Sequence, residues 1–259
     1  MSARMLASVL DAGEAEIALA AGADIIDLKD PRQGALGALP LGTVAGIVAA
    51  VAQRRPVSAT LGDLPMEPGL LVARAAALAD CGVDFVKIGL FADPRQRICI
   101  AALAPLAARQ PLVAVLFADQ RPDFAVMADL AAAGFAGVML DTAHKARGGL
   151  RACLPDETLG GFIATAAGSR LFSGLAGSLA AADIPALLRL EPDYLGFRGA
   201  LCAGAQRTAR LHAAAVASIR LAMPRAEGDA AGVRPGAFSA GGRDRPPPAS
   251  AAAAPAPTC

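Results

Sequence analysis

The sequence lacks any apolar run long enough to cross a bilayer. The longest, around Leu41 to Ala52, falls short of the about 20 residues a span needs. Its glycines and threonine suit a helix lying on a core. The start, MSARMLASVLDAGEAE, has no extended apolar region before its acidic residues, which speaks against a secretion signal. Net charge is also scarce, at +1, so nothing electrostatic points to nucleic acid or an anionic membrane. The five cysteines (Cys81, Cys99, Cys153, Cys202, Cys259) are odd in number and form no CxxC pair, as expected of thiols in a reducing compartment. There is no P-loop, dinucleotide fingerprint or zinc spacing, and the two histidines, His144 and His212, do not make a metal constellation. A soluble, cytoplasmic protein is expected.

Lysine is scarce too. Of 24 basic residues 21 are arginine, leaving only Lys29, Lys87 and Lys145. An amine can lose its proton and form a carbon–nitrogen bond, whereas a guanidinium effectively cannot. Codon bias with chance survivors is the plain alternative, and the positions of the lysines weigh more than their number.

What is present is a chain of 259 residues, 55% hydrophobic and 18% charged, which excludes a disordered protein. The length fits one large α/β barrel or two smaller domains. Short β-rich runs alternate with alanine-rich segments of helical length. Strands are expected near Met5–Leu10, Asp24–Lys29, Val57–Leu61, Asp84–Gly89, Leu112–Phe117, Gly137–Asp141, Arg170–Ser173 and Tyr194–Arg198. The run from Asp11 to Glu14 reads as a helix start, with a stop at Ala-Gly-Ala before Asp24. Eight such strands predict a (β/α)8 barrel over residues 1–223, an open doubly wound sheet being the alternative. From Pro224 to Cys259 the chain is mostly Gly, Pro, Ala and Arg without apolar periodicity, and a disordered tail is expected there.

Each lysine falls at or just beyond the C-terminal end of an even-numbered strand, and 58 residues separate Lys29 from Lys87 and Lys87 from Lys145. Active sites of barrels gather at that end. Strand alternation turns Ile26 and Leu28 toward the outer helices and Ile25, Asp27 and Lys29 inward. By the same rule Phe85, Lys87, Met139 and Asp141 face the axis. Two lysines and two aspartates therefore meet at one mouth, with Lys145 in reach from the loop. Crowded cations and partial burial favour neutral amines. Such an amine condenses with an aldehyde or ketone, a second takes or delivers protons, and an aspartate orients either one. Carbon–carbon bond chemistry next to a carbonyl follows. A structural ion-pair network is the competing reading.

Two glycine-rich segments, Ser173-Gly-Leu-Ala-Gly-Ser178 and Gly196-Phe-Arg-Gly-Ala200, come late in the chain, where barrels often bind phosphate. Gly174, Gly177, Ser178 and Gly199 are the expected backbone cradle, with Arg198 as a direct charge. His144 borders the mouth, although a loop histidine is the plainer description, and His212 is an ordinary helix residue. Asp63 ends strand three near the same mouth or caps the next helix.

At these residues the sequence resembles the (5-formylfuran-3-yl)methyl phosphate synthase family, which acts in the furan branch of methanofuran biosynthesis. The matching segments are Ala23-Asp-Ile-Ile-Asp-Leu-Lys-Asp-Pro with Gly34-Ala-Leu-Gly37, Val57-Ser-Ala-Thr-Leu-Gly-Asp63 and Asp84-Phe-Val-Lys-Ile-Gly-Leu90. Asp141-Thr-Ala-His-Lys145, Phe172-Ser-Gly-Leu-Ala-Gly-Ser178 and Gly196-Phe-Arg-Gly-Ala200 complete the likeness, which runs from about residue 5 to about residue 223. It implies a barrel that condenses two glyceraldehyde 3-phosphate molecules, with Lys29 as Schiff-base lysine and Lys87 as proton acceptor. It also implies supporting roles for Asp141 and Lys145, and no metal or organic cofactor. The residues alone leave open a class I aldolase acting on a sugar phosphate, or a non-catalytic barrel binding an anionic metabolite. The expected partner is a small molecule, not nucleic acid or membrane, and the oligomeric state is left open, a homo-oligomer included.

Overall fold

The computed structural model describes residues 3–144 and 148–223. Lys145 and the tail from Pro224 lie outside the described residues. Eight parallel strands, β1 (Arg4–Val9), β2 (Ile25–Leu28), β3 (Val57–Thr60), β4 (Phe85–Gly89), β5 (Leu112–Phe117), β6 (Gly137–Asp141), β7 (Phe172–Leu175) and β8 (Tyr194–Phe197), pair in chain order. β8 pairs with β1, so the sheet is a closed barrel and the open alternative falls away. Helices α1 (Ala12–Ala20), α2 (Leu41–Val51), α3 (Pro68–Ala79), α4 (Gln96–Ala107) and α5 (Val126–Ala132) follow the first five strands. α6 (Leu150–Cys153), α7 (Asp156–Gly168), α8 (Ile184–Leu188) and α9 (Ala213–Ala222) follow the last three. No helix among the described residues is long and apolar enough to cross a membrane.

Local chemistry explains the boundaries. Asp11 caps α1 by accepting the Glu14 amide at 2.9 Å, and the chain leaves the helix through Gly22 at φ +84°, a conformation that favours glycine. β7 begins two residues later than the composition predicts. Arg170 takes a left-handed φ of +58° and the Leu171 amide still bonds Ala166 O at 2.9 Å, so both belong to the end of α7.

Alternation separates two cores. Ile26, Leu28, Val86 and Ile88 pack outward under the helices, while Leu6, Ile25, Phe85, Val113, Met139 and Tyr194 fill the barrel. At the N-terminal end, the aspartate before each of three even strands ties down a neighbouring odd strand. Asp24, Asp84 and Asp193 accept the amides of Met5, Val57 and Ser173, each at 2.7 Å. These carboxylates stand at the opposite end of the barrel from the lysines and serve the fold.

Candidate active site

Register brings the polar residues of the mouth together. Ser8 of β1 and Ser58 of β3 stand opposite Asp27 in the ladders on either side of β2. Both hydroxyls donate to its carboxylate, Ser8 Oγ at 2.8 Å and Ser58 Oγ at 2.6 Å. Lys87 reaches across β3 from β4 and adds a third bond, Nζ to Asp27 Oδ1 at 2.9 Å. Asp27 is fully buried and Lys87 is 1% exposed. Lys29 lies one residue past β2, its amide bonded to Val9 O, and its Nζ stands 3.5 Å from Asp141 Oδ2 at the end of β6. The Thr142 amide donates to the other oxygen of Asp141 at 2.7 Å.

This setting biases protonation. Burial pushes the Asp27 carboxyl up, but the charges of Lys87 and Lys29 and the Ser58 bond outweigh it and hold Asp27 below the usual carboxylate range. For Lys87 burial wins. Loss of water around the ammonium pulls the amine below the ordinary lysine range, although Asp27 opposes the change. Burial likewise raises the Tyr194 phenol well above its ordinary value, with Asp27 and Asp193 acting in the same direction.

Above these groups opens a cavity of about 230 Å³ lined by Ser8, Asp27, Lys29, Lys87 and Asp141, among others. Gly177, Ser178 and Gly199 also line it, as the sequence led one to expect, and the loop turns left-handed at Gly177 (φ +110°) and Ser178 (φ +52°). Gly174 does not line it. It sits within β7, where a side chain would overlap the Tyr194 ring, so packing and not anion binding explains that glycine. Arg198 borders the cavity, but its donors are spent elsewhere. It pairs with buried Glu14 and donates to the carbonyls of Ser8, Arg207 and Ala209. Expected as a charge for phosphate, it is a structural brace.

His144 and Asp63 are also engaged outside the cavity. Asp119 accepts the amides of Ala143 and His144 at 2.8 Å each and lies 3.0 Å from His144 Nδ1. Asp63 accepts the amides of Ala35 and Leu36, so it anchors the loop after β2 and caps no helix. Among the described residues no cluster of three or more His, Cys, Asp or Glu side chains is arranged to hold a metal.

Four residues at or beside the site carry no functional signal in the sequence taken alone: Ser8, Ser58, Glu14 and Arg207. Both serines point inward by parity, but only register puts them beside Asp27. Glu14 looks like an ordinary capping-box glutamate. Arg207 sits in an irregular loop, yet it lines the cavity and donates to Gly34 O at 2.9 Å. Burial lowers its guanidinium from the usual range, with the Asp141 charge acting against that.

A closed (β/α)8 barrel with two lysine–aspartate pairs converging at an open C-terminal cavity is the architecture of a barrel enzyme. The family model for 4-HFC-P synthase matches residues 5–220. The chain belongs to that family. It is 47% identical over 231 residues to a putative (5-formylfuran-3-yl)methyl phosphate synthase of Methylorubrum extorquens, covering 86% of this chain and 94% of the relative. It is 32% identical over 217 residues to the (5-formylfuran-3-yl)methyl phosphate synthase of Methanosarcina mazei, covering 79% and 93%. Among solved structures it is similar to 3-hexulose-6-phosphate synthase, with a TM-score of 0.60 and 23% identity over 85% of this chain and 100% of that one. Phosphoribosylanthranilate isomerase of Thermotoga maritima gives a TM-score of 0.60 at 12% identity over 85% and 97%. These two likenesses speak for the fold alone.

Proposed function

We propose that the chain condenses two glyceraldehyde 3-phosphate molecules into (5-formylfuran-3-yl)methyl phosphate for methanofuran biosynthesis, a lyase reaction through a lysine Schiff base. The balance closes with loss of one phosphate and two waters. The observation that carries the reading is the pair of buried lysines lining one cavity, Lys87 held 2.9 Å from Asp27 and Lys29 more loosely placed at 3.5 Å from Asp141.

Lys29 Nζ, as the neutral amine, adds to the aldehyde carbon of one substrate, and loss of water gives an iminium that acidifies the adjacent C–H. Lys87, whose amine burial makes easier to deprotonate, takes that proton and leaves an enamine. The enamine carbon attacks the second aldehyde. Dehydration, phosphate elimination and ring closure follow toward the aromatic furan. Asp27 keeps Lys87 aimed at the reacting carbon and Asp141 does the same for Lys29, with Lys145 as a further supporting amine. Amides around Gly177, Ser178 and Gly199 face the phosphate groups.

Incubating the chain with glyceraldehyde 3-phosphate alone tests the reading. An absorbing furan aldehyde is expected to appear together with inorganic phosphate. Reversible aldol addition without a furan would move the assignment to a class I aldolase, and binding without turnover would leave a phosphometabolite-binding barrel.

A further inference from the structure

Among the described residues, four cations line the cavity, and three of them are matched by carboxylates. Lys29 stands against Asp141, Lys87 against Asp27, and Arg198 against Glu14. Arg207 differs. Its hydrogen bond goes to a backbone carbonyl, Gly34 O, and among the described residues it forms no ion pair. A guanidinium has five N–H donors and keeps its charge at any working pH. Most of that donor capacity is open.

The nearby negative charges are themselves engaged. Asp141 faces Lys29, Asp30 holds the Arg32 guanidinium at 2.9 Å, and Asp63 is bonded by the amides of Ala35 and Leu36. The loop bearing Arg207 is fixed through its backbone. Arg198 donates to Arg207 O at 2.9 Å and to Ala209 O at 2.8 Å, and Glu14 accepts the Leu211 amide at 3.1 Å. The buried Glu14–Arg198 pair therefore braces the loop and leaves the Arg207 side chain to the cavity. The same cavity is lined by Ser178 and Leu179, whose amides bond no other described residue.

We infer that Arg207 is the side chain that grips a phosphate monoester in this cavity and selects phosphorylated aldehydes, with Glu14 and Arg198 positioning its loop. The identity of the aldehyde rests on the synthase reading; the phosphate chemistry rests on the geometry. A bidentate guanidinium–phosphate contact also accounts for arginine at this point in preference to lysine.

The test uses the full chain with Arg207→Gln and Arg207→Lys. Inorganic phosphate is titrated by calorimetry, and borohydride trapping is compared for glyceraldehyde 3-phosphate and unphosphorylated glyceraldehyde. Arg207→Gln is expected to weaken phosphate binding, and to shrink the preference for the phosphorylated aldehyde, by roughly ten- to hundredfold, the scale of charge-assisted hydrogen bonds. Arg207→Lys is expected to recover part of both. A merely structural role lowers trapping of both aldehydes alike and leaves the preference intact, which overturns the inference, as does a wild-type chain that binds no phosphate. Phosphate binding lost in Arg207→Gln without any furan from the wild type upholds Arg207 and overturns the synthase reading. Furan formation with unchanged preference in Arg207→Gln does the reverse.

Discussion

The two lysine–aspartate pairs at the mouth use the same residue types and differ in how they are held. Lys87 is 2.9 Å from a carboxylate that two serine hydroxyls also grip, and the pair is buried where it lines the cavity. Lys29 is 3.5 Å from Asp141 and 7% exposed, beside the loops. A tightly held amine has little freedom except to gain or lose a proton. A looser one has room to change from ammonium to amine to imine. On the proposed reading, this difference makes Lys87 the lysine that moves a proton and Lys29 the one that forms a covalent bond, with no change of side chain.

Breaking the covalent side of this contrast is expected to have the largest effect. Lys29→Arg keeps a cation but cannot form an imine, so furan formation should fall roughly a thousandfold or more, read as product absorbance. Next comes Lys87→Met, with turnover lower by about 10²- to 10⁴-fold while the Schiff base at Lys29 still forms. The same change leaves Asp27 buried without its cation, and denaturant unfolding should show a loss of about 3–5 kcal/mol. A substitution at Asp27 that leaves Lys87 unchanged sharpens the comparison through pH. Lys87 works as a base only when neutral, so activity rises with pH through its pKa, and burial places that limb below the ordinary lysine range. The Asp27 charge opposes this shift, so Asp27→Asn should move the acidic limb of kcat/KM to still lower pH; a move upward would count against Lys87 as the base. The smallest effect is expected from Ser58→Ala, which removes one donor from a buried carboxylate and should cost about 1–3 kcal/mol in unfolding free energy.

How far the molecule is legible in its sequence depends on whether a feature is local. Inward parity of Asp27, Lys29 and Lys87 follows from alternation along single strands, and seven strand positions differ from the predicted ones by a residue at most at either end. β7 was misplaced because the end of α7 runs on through Arg170 and Leu171. Pairing between strands is not local. Nothing near Ser8 or Ser58 announces that both stand opposite Asp27; the closed barrel's register decides it. The arginines teach the same lesson. Arg198, inside the glycine-rich motif, reads as the anion-binding charge, whereas Arg207 reads as the start of the last helix and instead lies in the loop before that helix begins at Ala213. Which of them keeps open donors depends on Glu14, at the far end of the chain, and it takes Arg198. Gly174 read as part of an anion loop until the Tyr194 ring was placed against it.

The division of labour between the two lysines is tested most directly by intact-protein mass spectrometry after borohydride reduction with glyceraldehyde 3-phosphate, comparing wild type, Lys29→Arg and Lys87→Arg. The account expects an adduct in wild type and Lys87→Arg that maps to Lys29, and none in Lys29→Arg. An adduct on Lys87, or one that persists in folded Lys29→Arg, would contradict it.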